Sequence, residues 1–211
     1  ITKGNTYYRK ITIPEGFTIK QIAALLNNNN FLSGKVKIHN LLEGSLFPDT
    51  YYFSRDDNVN SIIERMELKM QKQIQIQLNK NKNIFKNKDD LIRFASLVEA
   101  EAKNKKEKFL ISSVFHNRIK RGMRLQSDPT VIYGKNIKLK NKSKKIYKDD
   151  LKTDNPWNTY TRHGLPKTAI CNPGIDSIIA ALNPISSNYI YFVSDGEGGH
   201  RFSSTLEEHN K

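Results

Sequence analysis

The sequence predicts an α+β fold, and three observations carry that expectation. Three stretches have the apolar spacing of amphipathic helices: 58–79, 89–103 and 107–120. Two short runs, Tyr7 to Ile13 and Tyr189 to Ser194, alternate as strands do. The elements follow one another without a βαβα rhythm, so a doubly wound parallel sheet is not expected. With 211 residues, 37% of them hydrophobic, the chain can build one medium domain, or one domain and a small appendage.

Taken in order, the first forty residues read as a small strand–turn–helix unit. Tyr7–Ile13 is the strand and Pro14-Glu15-Gly16 the turn. Thr18 is placed to cap a helix carrying Ile19, Ile22, Ala23, Leu25 and Leu26, and the run Asn27–Asn30 ends it. A unit of this size buries little alone and must pack on something else. Leu41–Phe53 is apolar and aromatic, but Gly44 and Pro48 argue against a continuous helix, so a buried irregular segment is expected. Residues 58–79 follow as a helix, then a Lys/Asn loop over 79–87. Asp89 or Asp90 is expected to cap the next helix, running to about Lys103, and a further helix spans about Glu107 to Lys120. Residues 135–148 hold seven lysines and no acid, which reads as a solvated loop rather than a binding arm. Pro173-Gly174 precedes a short helix, Ile175–Leu182, and Arg201–Ser203 is expected to pair with Tyr189–Ser194 across the turn 195–199.

Lys and Arg outnumber Asp and Glu by 35 to 21, a formal charge of +14. Such a balance fits nucleic acid, an anionic wall or membrane surface, or the Lys- and Asn-rich composition of an AT-rich genome, and alone it decides nothing. The single cysteine, Cys171, rules out an intrachain disulfide and any Cys-based zinc site, and reads as a small buried residue. No apolar run approaches the roughly 20 residues needed to span a bilayer.

Three segments have the residue types for chemistry. In Phe94–Ala102 (FASLVEAEA), Glu99 and Glu101 stand in an otherwise apolar helix. Two positions apart is about 200° around a helix, so they cannot share a face. Glu99 aligns with Ala95 and Ala102, a small-residue face that leaves room for a ligand; Glu101 aligns with Leu97 and Val98. A carboxyl in a partly apolar cleft suits a general acid. The other reading is an amphipathic helix with surface glutamates, and spacing leaves both open. In Arg124–Gly134 (RLQSDPTVIYG), Gln126, Ser127 and Asp128 form a polar turn that either bonds a sugar or merely leads into a strand. In Asn155–Pro166, Trp157, Asn158, Tyr160, Arg162 and His163 lie between helix breakers. Aromatic faces with amides are what carbohydrate sites use; the alternative is a loop pinned by buried aromatics. The five histidines lack ligand spacing, so no metal is expected, and no Gly-x-Ser-x-Gly elbow supports a serine nucleophile. The glycines of 195–200 lack the phosphate-loop lysine and read as a hairpin turn.

Taken in order, five stretches resemble the YceG-like family of endolytic murein transglycosylases: EGSLFPDTYYF (43–53), ASLVEAEA (95–102), SSVFHNRIKRGMRLQSDPTVIYG (112–134), NTYTRHGLP with ICNPG (158–174), and the C-terminal YIYFVSDGEGGHRFSSTLEEHNK (189–211). They cover most of residues 41–211, and TIPEGFTIKQIAALL resembles the LysM-like portion that precedes the family's catalytic domain. The resemblance therefore implies a partial LysM-like unit over 1–40 and a mixed helical and short-strand catalytic domain over 41–211. It implies cleavage between N-acetylmuramic acid and N-acetylglucosamine in nascent glycan, leaving 1,6-anhydromuramoyl ends, with no cofactor. It implies Glu99 as the catalytic residue and Glu101, Gln126, Asp128, Asn158 and Tyr160 as cleft-lining positions. It also implies a single-pass inner-membrane anchor preceding Ile1, a catalytic part facing the periplasm, cell-wall synthases as partners, and no nucleic acid. Three positions depart from the family's pattern: Ser45 for an aromatic, Trp157 for a tyrosine, and Lys167 for a second proline after Gly-Leu-Pro.

The alternative of another class is a non-catalytic basic module that binds cell wall or nucleic acid. The two readings part on Glu99, which the enzyme reading expects to face a groove long enough for several sugars. A buried or fully exposed Glu99 favours the binding module.

Overall fold

A computed structural model describes residues 7–81, 84–102, 104–138, 143 and 145–211. It has the mixed α+β architecture, helices and two small antiparallel sheets, built around two apolar cores. The smaller core begins with strand β1 (Arg9–Thr12) and helix α1 (Ile19–Asn27). Thr18 caps α1 through a capping box with Gln21, as its position in the sequence predicts. A 3₁₀ turn at Ile38–Asn40 follows, and then strand β2 (Thr50–Phe53) pairs antiparallel with β1, Arg9 opposite Phe53 and Thr12 opposite Thr50. The segment 41–53 is thus irregular only as far as β2; its Leu46, Phe47, Tyr51 and Phe53 are buried.

The strand pairing bears on how the N-terminal unit is held. Ile11, Ile13, Ile19, Ile22 and Leu26 pack with Leu46, Tyr51, Phe53, Val59, Ile62 and Met66. The small core therefore draws on residues from both sides of position 40, because a single strand and helix have too little apolar surface to close on themselves.

Helix α2 (Val59–Lys80), capped by Asn58, bridges the two cores: Met66 lies in the smaller, Met70 and Ile74 in the larger. The larger core centres on α3 (Lys88–Glu101), whose Leu91 and residues Phe94 to Val98 are all buried. Asn87, not Asp89 or Asp90, caps α3, its Oδ1 accepting from the Asp90 amide at 2.8 Å. The two aspartates occupy the first turn, where they complement the helix dipole. The helix stops at Glu101, earlier than its spacing suggests, and residue 103 lies outside the described residues.

Helix α4 (Lys105–Lys120) and helix α7 (Ile175–Leu182) pack against α3. Ser112 Oγ donates to the Ala180 carbonyl (2.6 Å), and His116 Nε2 lies 2.8 Å from that of Ala181. Between them, α5 (Asp128–Lys138) replaces the strand that Thr130–Gly134 resembles. Pro129 is tolerated because it falls in the first helical turn, and Thr130 Oγ1 bonds the Ser127 carbonyl at 2.6 Å. Lys135 to Lys138 are helical, and Lys148 opens the short α6 (Lys148–Lys152), so the lysine-rich loop is shorter than 135–148; 139–142 and 144 lie outside the described residues. The chain closes with the hairpin β3 (Tyr191–Ser194) and β4 (His200–Ser203), then α8 (Leu206–His209). Arg118 ties the hairpin to α4 through the Ile190 carbonyl at 2.7 Å.

Candidate active site

Glu99 and Glu101 both point inward, on different faces of the last turn of α3. Both faces are covered, so neither is the solvent-facing glutamate of an amphipathic helix. The Glu99 side chain is 7% exposed. Its Oε2 accepts from the Gly174 amide at 2.9 Å, from Ser177 Oγ at 2.6 Å and from Lys108 Nζ at 3.1 Å; Oε1 accepts from the same Nζ at 3.1 Å. Gly174 caps the eight-residue α7, so the carboxylate sits at a helix N-terminus, where backbone N–H groups and the dipole favour an anion.

Lys108 is equally buried and also reaches Glu15 Oε2 at 3.1 Å. Burial acts to lower its pKa, but the Glu99 and Glu15 carboxylates more than offset this, and it is raised; Lys108 is a firm cation at neutral pH. A Cβ at Gly174 would meet the Glu15 carboxylate, the movable end of a half-exposed side chain, so the glycine lets Glu15 lie over the start of α7. Gly16 approaches the Glu99 side chain from the same turn. The Pro14–Gly16 turn thus roofs the carboxylate, and the open groove expected in front of Glu99 is not there. Two hydrogen bonds, from Gly174 and Ser177, hold Glu99 at the start of α7 behind Gly16, and Lys108 of α4 adds two more.

A cavity of about 620 Å³ opens beside it, with Gly16, Ala100 and Cys171 in its wall. Its other walls are the first turn of α1, Glu43, Tyr133 of α5, and Trp157. Tyr133 and Trp157 meet edge-to-face with centroids 5.9 Å apart, and Trp157 Nε1 donates to Thr168 Oγ1 at 2.9 Å. Glu43 accepts from the Ile19 amide (2.8 Å), from Asn172 Nδ2 (3.1 Å) and from Tyr133 Oη (3.1 Å). Burial and the Glu43 carboxylate push the Tyr133 phenol up, so it stays a donor. Cys171 is buried, its thiol pushed well up by burial and by Glu99 and Glu43, and it stays a neutral thiol.

The other face of α3 gathers most of the remaining predicted positions. Ser127 Oγ donates to Glu101 Oε1 at 2.6 Å, and Tyr160 Oη donates to Asp128 Oδ1 at 2.6 Å. Burial pushes the Glu101 pKa up to about 7; the Ser127 bond opposes the rise, Asp128 adds to it, and Arg118 opposes it. Gln126 is exposed with φ +47°, an uncommon backbone for its residue type, and its amide bonds the Thr159 carbonyl at 3.1 Å.

Asn158 is fully buried. Its Nδ2 donates to the carbonyls of Asp150, Leu151 and Thr153, and its Oδ1 accepts from the Tyr160 amide, so it braces the loop from beneath. Arg162 pairs with Asp154 at the surface, and His163 is exposed. Glu99 makes no hydrogen bond to the Glu101–Ser127–Asp128–Tyr160 group among the described residues. Its own partners, Lys108, Ser177 and Gly174, and the Glu15 that shares Lys108 with it, were not legible in the sequence. Only the turns Pro14–Gly16 and Pro173–Gly174 gave a signal, as turns. Among the described residues no group of three or more His, Cys, Asp or Glu side chains is placed to hold a metal ion.

The model of the YceG-like family matches this chain over residues 1–211. The chain belongs to the YceG-like family. A Bacillus subtilis (strain 168) protein named endolytic murein transglycosylase is 36% identical, aligned over all of this chain and 66% of its own length. A protein of the same name from Streptococcus pneumoniae (strain D39) is 31% identical over 95% of this chain and 43% of its own length. The chain thus spans about two thirds of one relative and under half of the other. The crystal structure of a YceG-like protein from Listeria monocytogenes superposes with a TM-score of 0.76 at 33% identity, covering 95% of this chain and 75% of that one. Among the described residues no helix is long and apolar enough to cross a membrane.

Proposed function

We propose that this chain is the wall-facing part of a lytic transglycosylase that cuts the β-1,4 bond between N-acetylmuramic acid and N-acetylglucosamine within nascent peptidoglycan strands. The observation that carries the reading is the setting of Glu99: a carboxylate whose Oε2 is held by three donors while, among the described residues, Oε1 bonds Lys108, beside a cavity with an aromatic wall. The relatives' names supply the reaction class.

In its acid form, Glu99 gives its proton to the glycosidic oxygen as the bond to muramic acid C1 breaks. The developing positive charge at C1 is met by the substrate's own acetamido oxygen, so no second enzyme carboxylate is required. The C6 hydroxyl then attacks C1, the acetamido oxygen leaves, and Glu99 takes back the hydroxyl proton. The products are an anhydro-ended strand and a free N-acetylglucosamine 4-hydroxyl, with no water consumed. General acid–base help of this kind is worth roughly 10²–10⁴-fold. The cavity supplies the rest of what a sugar needs: the Trp157 ring for a C–H face, and the Tyr133 hydroxyl for a sugar oxygen. The buried position of Glu99 requires the Pro14–Gly16 turn to move aside for the strand. An anchor segment outside this chain, the periplasmic face of the inner membrane, and cell-wall synthases as partners belong to the same proposal.

One observation favours a second reading. A carboxylate 7% exposed, in a chain of charge +14, suits a non-catalytic module that binds an anionic wall. Purified, uncrosslinked glycan strands incubated with the protein separate the two. The enzyme reading expects internal cuts and fragments ending in 1,6-anhydromuramic acid by mass spectrometry. Binding without fragments supports the module, and reducing ends in place of anhydro ends make the protein a hydrolase.

A further inference from the structure

Lys108 joins two parts of the fold through one ammonium group. It reaches both oxygens of Glu99 on α3 and Oε2 of Glu15 in the turn between β1 and α1, each at 3.1 Å. Lys108 and Glu99 are each 7% exposed, whereas Glu15 is 46% exposed. The same turn is stitched to the segment before α7 by the backbone: Gly16 N to Asn172 O at 3.0 Å, and Asn172 N to Phe17 O at 2.9 Å. The inner ion pair is fixed by burial. The outer carboxylate is the one an arriving ligand can displace without disturbing the core, because exposed ion pairs are weak.

The oxygens of Glu99 are not equivalent. Oε2 is held by the Gly174 amide, Ser177 Oγ and Lys108; the hydrogen bond at Oε1 is from Lys108. Oε1 is therefore the oxygen that can carry and release a proton, and the place of Lys108 controls it. Among the described residues, the other titratable groups around this centre are Cys171, which faces Glu99, Glu43 and Lys108 from the segment before α7, and the Lys105–Asp176 pair at the start of α4 and α7. Glu107, next to Lys108, is turned away to His200.

We propose that Lys108 is a positioning residue shared between Glu99 and Glu15, through which the Pro14–Gly16 turn of the N-terminal unit sets the charge felt at Oε1 of Glu99. The inference rests on reading Glu99 as the acid–base group. It means that moving the N-terminal unit, or drawing Glu15 off Lys108, changes how readily Glu99 exchanges its proton.

The test is a pH titration of the Glu99 side-chain carboxyl carbon by NMR, assigned with Glu99→Gln, in the full chain and in Glu15→Gln, Lys108→Met and Lys108→Arg. Removing the Glu15 charge leaves Lys108 to Glu99 alone, so the midpoint falls, by roughly half a pH unit. Removing the Lys108 charge raises the midpoint by roughly one to three units, and Lys108→Arg restores most of the wild-type value. The pH profile of strand cleavage moves in the same directions. An unmoved midpoint in Glu15→Gln overturns the proposal even if the melting temperature falls, since a merely structural contact would change stability alone. Glu15→Gln also answers the question should Lys108→Met fail to fold. Wild-type protein that yields no anhydro ends defeats the enzymatic reading instead, and the NMR midpoint still decides whether Glu15 acts on Glu99.

Discussion

Replacing Glu101 by Gln isolates the cost of a carboxyl held in a dry site. Glu101 has its pKa pushed from the ordinary 4.5 to about 7, mainly by burial. The sign follows from which state binds the proton more tightly. Here it is the folded one, so the group's favourable contribution is complete below pH 4.5 and is lost as pH rises toward 7 and above. The gap between 4.5 and about 7 corresponds to roughly 3 kcal/mol. Gln keeps the acceptor that Ser127 Oγ uses at 2.6 Å and cannot ionise. Any penalty from fitting the amide is independent of pH, so it cancels when one protein is compared with itself at two pH values. The assay is urea unfolding of wild type and Glu101→Gln at about pH 4 and about pH 8. Wild type is expected to lose roughly 3 kcal/mol more than the variant between the two. Parallel pH dependence in the two proteins would refute the burial argument for Glu101.

Other substitutions probe the rest of the account. Asn158→Ala strips a buried amide from three backbone carbonyls, so chemical denaturation should show a loss of roughly 1–3 kcal/mol; a sharp rise in KM without that loss would move Asn158 from brace to ligand contact. Gln126→Gly relieves a residue at φ +47°, and its melting temperature should stay level or rise despite the entropy glycine adds to the unfolded chain. Phe94→Ala empties the middle of the larger core, where Phe94 is fully buried against Phe85 and Phe115, and should cost roughly 3–5 kcal/mol in the same unfolding assay.

What the sequence made legible was local. Thr18 and Gln21 form a capping box from residues three apart, and Pro173-Gly174 announces α7 at its true start, Ile175. The β3–β4 hairpin follows from alternation on either side of a glycine-rich turn. Where the outcome depended on distant packing, the pattern was ambiguous. Thr130–Gly134 resembles a strand by composition, yet it is helical because Ser127, Pro129 and Thr130 build a helix start. Glu99 and Glu101 looked like alternatives, one inside and one outside, because helical periodicity assumes a single buried face. Helix α3 is covered on both, by α7 and α4 on one side and by the Ser127 turn on the other. Lys108 was one of many basic residues in a +14 chain, and only the meeting of α3, α4 and the Pro14–Gly16 turn sets it apart. The role of Asn158 as a brace was equally hidden, since its Nδ2 partners are backbone carbonyls at the end of α6, those of Asp150, Leu151 and Thr153.

The central claim is that Glu99 moves the proton in strand cleavage, and Glu99→Gln tests it most directly. The amide matches the carboxylate in shape and keeps an acceptor for the Gly174 amide and Ser177 Oγ, so the fold should survive, as circular dichroism and the melting curve would show. Purified glycan strands digested with equal amounts of wild type and Glu99→Gln are then compared by mass spectrometry for 1,6-anhydromuramoyl ends. The account predicts a rate lower by roughly 10²-fold or more in the variant. A folded Glu99→Gln protein that releases anhydro ends at the wild-type rate would contradict it.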